Sequence, residues 1–359
     1  MTEYILKNAL VYTDSGFQKQ DIFVSEGRVL CVCCKLCAEY THSYDLTNKH
    51  IFPGFVDVHV HLREPGFSYK ETIKTGSLAA AKSGYTTVCT MPNLDPVPDS
   101  AEHLEKQLDI IERDASINVI PYGSITVDRK GTELSDMESL ADKVVAFSDD
   151  GSGIQTEETM RRAMLEAKKL GKIIVAHCED NSLLDGGYSW GHPGSEGGFS
   201  EIECAISLAR MLHVDLVVAN ATGWHWWTTF ESGSHYGESR FALIEAPTVE
   251  GLNDGFIHGT KLLYTLGQYS RFVRPGMKRV EAKRSDNLSV VDALKNDMYS
   301  SYINEATQQV VIIATNSRTV KRPFTFKVEN ISGNTDLEFT PYVTSEDDNM
   351  KAYPKIKEG

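Results

Sequence analysis

The spacing of hydrophobic and polar positions changes near residue 50. Residues 1–50 contain short stretches of β-branched and aromatic residues broken by Asp, Ser and Gly, which predict a small β-subdomain. From residue 51, nearly continuous apolar runs alternate with helical patterns, which indicates successive parallel strand–helix units. Five such strands are predicted, with the sequences GFVDVHV, YTTVCTM, INVIPYGSI, KVVAFSD and KIIVAHC.

Helical spacing fills the connections between these strands. One predicted helix is IKTGSLAAAKSG and another is TEETMRRAMLEAKKLG, in which Thr156 is placed to cap the first turn. The second has helical spacing at Met160, Ala163, Met164 and Ala167. Strands that are apolar on both faces predict an α/β barrel or an open α/β sheet, and both architectures bind ligands at the strands' carboxyl ends.

Polar residues with metal-binding chemistry occupy these carboxyl ends. Because residues two apart face the same side of a strand, His59 and His61 can point together at one ion. Ligands on separate strands favour a metal site over packed core histidines. The residues at the strand ends are His59 and His61 on the first, Asn93 on the second, Asp149 and Asp150 on the fourth, and His177 on the fifth.

Composition and charge favour a globular protein with a small-molecule substrate. The 359 residues carry a formal net charge of −14, which disfavours a nucleic-acid or acidic-membrane partner. No apolar run approaches the roughly 20 residues of a membrane span, and the first residues do not resemble a signal peptide. We therefore expect a cytoplasmic protein without nucleic-acid or membrane partners.

Four of the seven cysteines are crowded into CVCCKLC, at Cys31, Cys33, Cys34 and Cys37. Such crowding invites a zinc or redox interpretation. Structural zinc sites usually draw on two separated ligand pairs, and no second pair occurs in the sequence. We therefore interpret these residues as small apolar residues of a β-rich segment.

The motifs GFVDVHVHLREPG, TMPNLDPVPD, AFSDDG and AHCED follow one another in an order that resembles dihydroorotase, a family of metal-dependent amidohydrolases, over about residues 1–198. The resemblance implies a zinc-dependent cyclic amide hydrolase that interconverts dihydroorotate and N-carbamoyl-aspartate in pyrimidine biosynthesis. It also implies one zinc on His59 and His61, a second on His177, a catalytic Asp150 that bridges them, and a grip on the substrate carboxylate by Arg63 and Asn93.

The resemblance further implies a sixth-strand histidine and an eighth-strand aspartate, and the sequence supplies neither. His213, in MLHVDLVV, lies between a predicted helix and a predicted strand, at the end of the strand opposite to the site. We therefore expect an incomplete site that holds one or two zinc ions. A relative of the hydantoinase type would use a carbamylated lysine as the bridge, and here the fourth strand supplies Asp150 instead.

About residues 203–359 resemble another family, the C-terminal portion of glycoside hydrolase family 30. The segments with this resemblance are ARMLHVDLVVANATGWHWWTTFE, KLLYTLGQYSRFVRPGMKRVEA and the β-rich tail. It implies a retaining β-glycanase fragment or carbohydrate-binding remnant in which Trp224, Trp226 and Trp227 stack on sugars, without the two catalytic carboxylates. Buried aromatic packing is the alternative for these tryptophans.

Together the two resemblances predict an α/β chain with a partial TIM-type barrel. Six units, the sixth strand being DLVVANATGW, are too few to close eight strands, so open sheet edges are expected to permit self-association. The resemblance changes from one family to the other near residue 200, and we call this position the join. It reflects either a natural fusion or pieces of two genes placed together. The predicted parts are a β-subdomain at 1–50, five strand–helix units at 51–198, the last glycosidase-like unit at 199–283 and a β-sandwich-like tail at 284–359.

Overall fold

The computed structural model describes residues 3–36, 42–178, 200–231, 242–246, 257–329 and 338–357. Cys37 and residues 179–199, where the two resemblances meet, lie outside these ranges. The chain divides into two units, residues 1–187 and residues 188–359. No helix of the described residues combines the length and the apolar character that crossing a membrane requires.

The first unit begins with a five-stranded sheet. Its strands run in the order β3–β2–β1–β4, with β5 also pairing with β1. The predicted stretch DIFVSEGRVL forms a hairpin, because Glu26 and Gly27 turn the chain between β2 and β3. The bounds are β1 Glu3–Thr13, β2 Gly16–Ser25, β3 Arg28–Cys33, β4 Ser43–Asp45 and β5 His50–Ile51.

The crowded cysteines lie at the edge of this sheet. Cys31 and Cys33 belong to β3, and Cys34 follows it, exposed. All three are free thiols, and no cysteine in the described ranges joins a group of potential metal ligands. Their place in a β-rich segment is thus confirmed for Cys31 and Cys33.

A parallel sheet follows, made of β6 Phe55–Val60, β7 Tyr85–Thr90 and β8 Asn118–Pro121 in that order. Single parallel bridges join Gly123 to Phe147 and Phe147 to Ile174, which extends the same order through the fourth and fifth predicted strands. Three of the five predicted segments are therefore strands of this sheet, and the fourth and fifth continue its parallel order through single bridges. Their carboxyl ends consequently meet at one edge of the sheet.

Helices pack around the fourth parallel segment and form an apolar core with it. The core contains Leu104, Leu140, Phe147, Ala163 and Ala167, all almost completely buried. The helices are α1 Ile73–Lys82, α2 Ala101–Asp114, α3 Met137–Leu140 and α4 Glu157–Lys169, with short 3-10 turns at Val127–Arg129 and Ala141–Lys143.

The cap predicted for α4 is present, because the Thr156 side chain accepts a hydrogen bond from the Thr159 backbone nitrogen at 3.1 Å. The predicted inner face needs one correction: Met164 is 58% exposed. The buried stripe follows Thr159, Ala163 and Ala167 at intervals of four. A residue next to that stripe points about 100° away from it, which turns Met164 toward solvent.

The second unit contains α5 Glu201–His213, α6 Lys261–Ser270 and α7 Val290–Leu294. Its tail is β-rich, with one three-stranded antiparallel sheet and two two-stranded pairs, and the predicted sandwich stays a prediction. The strands are β9 Phe230–Glu231, β10 Ile244–Glu245, β11 His258–Gly259, β12 Lys278–Val280, β13 Asp297–Asn304, β14 Gln309–Asn316, β15 Glu338–Phe339, β16 Tyr342–Val343, β17 Lys351–Ala352 and β18 Ile356–Lys357.

The predicted sixth strand, DLVVANATGW, is wrong. Val214–Val218 form a π-helical turn that continues directly from α5. Leu208, Leu212 and Leu216 lie four residues apart and contact the same apolar core. Packing of this stripe therefore extends the helical path through a run whose valines favour a strand locally.

The buried His213 generates a prediction about stability and pH. It is 5% exposed, its Nδ1 atom has no hydrogen-bond partner in the described residues, and burial lowers its pKa, with further lowering from Arg284 and Arg279. Because the unfolded chain binds this proton more readily, we expect the free energy of unfolding to fall as pH drops below about 6.5.

Urea unfolding between pH 7.5 and 5 measures this effect. The slope of the free energy of unfolding against pH should become smaller in His213→Gln. It should be unchanged in His225→Gln, which replaces an exposed histidine of the same unit. Equal slopes in the two variants would contradict the assignment.

Candidate functional site

Three side chains converge at the carboxyl edge of the parallel sheet. His59 lies near the end of β6 and His61 follows it, so both rings emerge on the same side, with centroids 5.3 Å apart. Asp150 follows the bridged residue of the fourth strand. The Nε2 atom of His59 is 3.3 Å from Asp150 Oδ1, and that of His61 is 3.6 Å from Asp150 Oδ2. Across the described ranges, these residues form the single group with metal-ligand geometry.

The protonation states of His61 and Asp150 suit a cation. Burial lowers the pKa of His61 to about 4, although the Asp150 carboxylate opposes this shift. Burial raises the pKa of Asp150, but hydrogen bonds from His59 and Asn93 outweigh it and bring the pKa to about 2. At neutral pH, His61 is therefore a neutral imidazole and Asp150 an ionised carboxylate, which are the forms that bind metals.

The spacing of the ligand atoms also fits a metal ion. Two atoms that share one tetrahedral zinc at about 2.1 Å lie roughly 3.4 Å apart, close to both observed distances. His61 Nδ1 and Asn93 Oδ1 are buried without a hydrogen-bond partner among the described residues. Such orphaned atoms are uncommon in folded proteins and are typical of sites organised for a ligand. The residues present therefore fit a divalent ion.

Two further side chains fix Asp150. The Asn93 amide nitrogen donates to the Asp150 carbonyl at 2.7 Å and to its Oδ2 atom at 2.9 Å. Arg129 Nη1 donates to the same carbonyl oxygen. Gly151 follows with φ +73°, and a Cβ atom there would lie 3.1 Å from the Asn93 nitrogen. Glycine thus leaves room for Asn93 to reach the turn.

The neighbouring Asp149 has a different environment. It is 1% exposed, and its carboxylate accepts bonds from the backbone nitrogens of Ile125 at 2.8 Å and Thr126 at 3.0 Å, and from the Thr126 hydroxyl. Burial raises the pKa of Asp149, while these bonds oppose the shift. Asp149 is therefore a buried structural residue that holds the backbone at Ile125 and Thr126, and its carboxylate does not join the metal-ligand group.

Arg63 and His177 lie outside the three-residue group. Arg63 has φ +34°, contributes to lowering the pKa of His61, and makes no side-chain hydrogen bond or ion pair with the described residues. His177 is exposed, three residues beyond the bridged Ile174. The structure therefore brings together four of the predicted site residues, namely His59, His61, Asn93 and Asp150.

The predicted tryptophan cluster belongs to the second unit. Trp224 and Trp226 stack with centroids 5.7 Å apart and an interplanar angle of 13°, and both pack against an apolar core. Trp224 Nε1 donates to Asp215 at 2.7 Å, whereas Trp227 is 65% exposed. The expected strand before them is absent, so these rings follow a helical turn. Carbohydrate stacking stays a prediction.

Arg129 is a site residue that the sequence interpretation missed. It lies in TVDRKG, directly after the third predicted strand. The rule that selected the other residues, polar side chains at the carboxyl ends of parallel strands, also selects this loop. Arg129 was missed because it lies several residues beyond the end of β8 and because no recognised motif surrounds it.

The geometry defines an α/β protein with a histidine–aspartate metal-ligand group at the carboxyl edge of a parallel sheet. Residues 48–229, about half of the chain, match the family described as dihydro-orotase-like. The chain belongs to that family.

Curated relatives agree with this match. A dihydroorotase from Fusobacterium nucleatum is 46% identical over 224 residues, covering 62% of this chain and 52% of the relative. One from Bacillus cytotoxicus is 43% identical over 230 residues, covering 62% and 53%. The chain therefore spans about half the length of the curated relatives it matches. The family match ends at residue 229, beyond the predicted join near residue 200.

Among solved structures, similarity is lower. The L-hydantoinase (dihydropyrimidinase) from Arthrobacter aurescens is 20% identical, with a TM-score of 0.45 over 52% of this chain and 43% of that one. The D-hydantoinase from a Thermus species is 25% identical, with a TM-score of 0.44 over 64% and 52%.

The arrangement around Asp149 generates a prediction about stability. Asp149→Ala leaves three buried donors without an acceptor, so the free energy of unfolding should fall by about 3 kcal/mol or more. Asp142→Ala, at an exposed position of the same unit, should change it by no more than about 0.5 kcal/mol. Urea denaturation measures both, and a loss at Asp149 as small as the control's would contradict the role.

Proposed function

We propose that this chain binds zinc at His59, His61 and Asp150 and acts as a cyclic amide hydrolase on dihydroorotate and N-carbamoyl-aspartate. The observation that supports this most directly is the convergence of three ligand side chains in a chain of the dihydro-orotase-like family, with His61 and Asp150 in the protonation states that metals bind. Conversion of these compounds would place the protein in pyrimidine biosynthesis.

A bound zinc ion would supply Lewis-acid chemistry, polarising an amide carbonyl and lowering the pKa of water. The side chains have separate tasks in this proposal. His59 and His61 hold the ion, and Asp150 binds it and is the shared ligand for a second ion, to which His177 would contribute. Among the described residues, Asp150 and His177 are the two ligands assigned to this second position.

Substrate binding is assigned to Arg63 and Asn93. The Arg63 guanidinium, without a partner in the described residues, offers a planar pair of donors that matches a carboxylate. The Asn93 amide nitrogen is already bonded twice to Asp150, so its contact with a substrate would require giving up one of those bonds. We therefore assign the larger share of carboxylate recognition to Arg63.

We also propose that the fold is a partial barrel with an open edge at β6. This strand pairs only with β7 in the described part of the chain. Phe55, Val56 and Val58 are 49%, 57% and 39% exposed, which is unusual for a strand of a parallel sheet. Such an edge supports self-association by strand pairing.

Zinc analysis tests the metal site. After dialysis against zinc-free buffer, the parent chain should retain about one zinc per molecule, and the double variant His59→Ala, His61→Ala should retain almost none. His42→Ala, which removes an exposed histidine of the same unit, serves as the matched control. Low and equal stoichiometry in the parent and the double variant would remove the proposal.

The ring-opening assay tests the reaction. With zinc present, the chain should convert dihydroorotate to N-carbamoyl-aspartate, detected by chromatography, and Asp150→Asn should abolish the conversion. Arg63→Ala should chiefly raise KM, by about tenfold or more, because it removes a charge-assisted contact to the substrate carboxylate. Conversion that equals the Asp150→Asn background would refute the proposed activity.

A further inference from the structure

The loop 125–131, which follows β8, is held by two buried carboxylates. Asp149 accepts three hydrogen bonds from Ile125 and Thr126, as described above. Asp99, 7% exposed, accepts a bond from the Asp128 backbone nitrogen at 3.0 Å. The Gly131 nitrogen donates to the Thr126 hydroxyl at 2.9 Å. This number of bonds from buried acidic groups specifies the path of the loop closely.

The path is one that side chains rarely adopt. Asp128 and Arg129 are consecutive non-glycine residues with φ of 52° and 55°, in the left-handed region. Such backbone is unfavourable and persists where surrounding contacts enforce it. Its effect is to carry the Arg129 side chain from a surface loop to the Asp150 carbonyl.

Packing alone does not explain Arg129, because burying its charged guanidinium is unfavourable. Burial lowers the pKa of Arg129, and Asp149 and Asp150 oppose the shift. Its Nε atom is buried without a hydrogen-bond partner in the described residues. A guanidinium beside a cation site also repels the ion, so its charge by itself weakens metal binding.

Despite this repulsion, Arg129 helps to fix the position of the Asp150 backbone carbonyl. Arg129 and Asn93 both donate to the Asp150 carbonyl oxygen, and Asn93 also contacts its carboxylate. The backbone of Asp150 is thus held from two sides while its carboxylate faces His59 and His61.

We infer that Arg129 is a positioning residue that fixes the backbone of Asp150 and thereby aims its carboxylate at the metal position. The inference rests on the proposed function, since it assigns a purpose within the proposed site. It predicts an effect opposite in sign to that of charge: removing Arg129 weakens metal binding, although removing a nearby positive charge would strengthen it.

Cobalt titration of the metal-free full chain, followed by absorbance, tests the sign. Arg129→Ala should weaken cobalt binding by about tenfold or more, as expected for the loss of a charge-assisted bond. Arg129→Lys should restore part of the affinity, because it can donate one bond to the carbonyl. Lys130→Ala is the matched control: it removes an exposed charge from the same loop and should leave affinity unchanged. Unchanged or tighter binding by Arg129→Ala overturns the inference.

A metal-free measurement separates this inference from the proposed function. The Ser152 nitrogen donates to the Asp149 carbonyl at 2.8 Å across the turn that contains Asp150. Amide exchange at Ser152 should accelerate by about tenfold in Arg129→Ala and less in Arg129→Lys.

If the parent chain binds no cobalt, the proposed function fails, and the exchange result alone decides the positioning role: acceleration supports it and unchanged exchange overturns it. If Arg129→Ala does not fold, Arg129→Gln takes its place in both measurements. Glutamine keeps a hydrogen-bond donor and removes the positive charge. Arg129→Gln should therefore bind cobalt at least as well as Arg129→Lys. Weaker binding by Arg129→Gln than by Arg129→Lys would then overturn the inference.

Discussion

Asp149 and Asp150 are adjacent, yet their carboxylates face different partners, and the first unit depends on this division of roles. Asp149 faces inward and holds the loop 125–131 through three hydrogen bonds. Asp150 faces the histidines that emerge from β6. One carboxylate therefore arranges the support while the other is left for the ligand.

Most of this site follows from spacing in the sequence. Parallel strands place their carboxyl ends at one edge, and alternation along a strand puts His59 and His61 on one side, so convergence with Asp150 and Asn93 could be predicted. Arg129 could not, because it reaches the site through two left-handed residues that no periodic pattern encodes. The two hydrogen bonds from Asn93 to Asp150 could not be predicted for a related reason. A sequence motif identifies a residue but does not show which partner that residue contacts in the folded chain.

The second unit shows where local patterns fail. The run VDLVV has the β-branched composition of a strand, yet Val214–Val218 continue the helical path of α5. Leu208, Leu212 and Leu216 bury one stripe in a shared core, and this tertiary gain outweighs the local preference of the valines. His213 is buried as a consequence of the same continuation. The tryptophans consequently follow a helical turn, whereas the sequence pattern predicted that they follow the end of a strand.

The site also carries unfavourable terms that the surrounding core must offset. His61 Nδ1, Asn93 Oδ1 and Arg129 Nε are buried without partners in the described residues, at a cost of about 1–3 kcal/mol each. The apolar core around Leu140 and Phe147 lies in the same unit and supports the strands that carry these groups. A ligand that binds only the folded arrangement stabilises it, by about 2.7 kcal/mol at a concentration of 100 times Kd. Under the proposed function, metal binding would therefore be linked to the folding of this unit, and the rise in the free energy of unfolding on addition of the ion would measure that linkage.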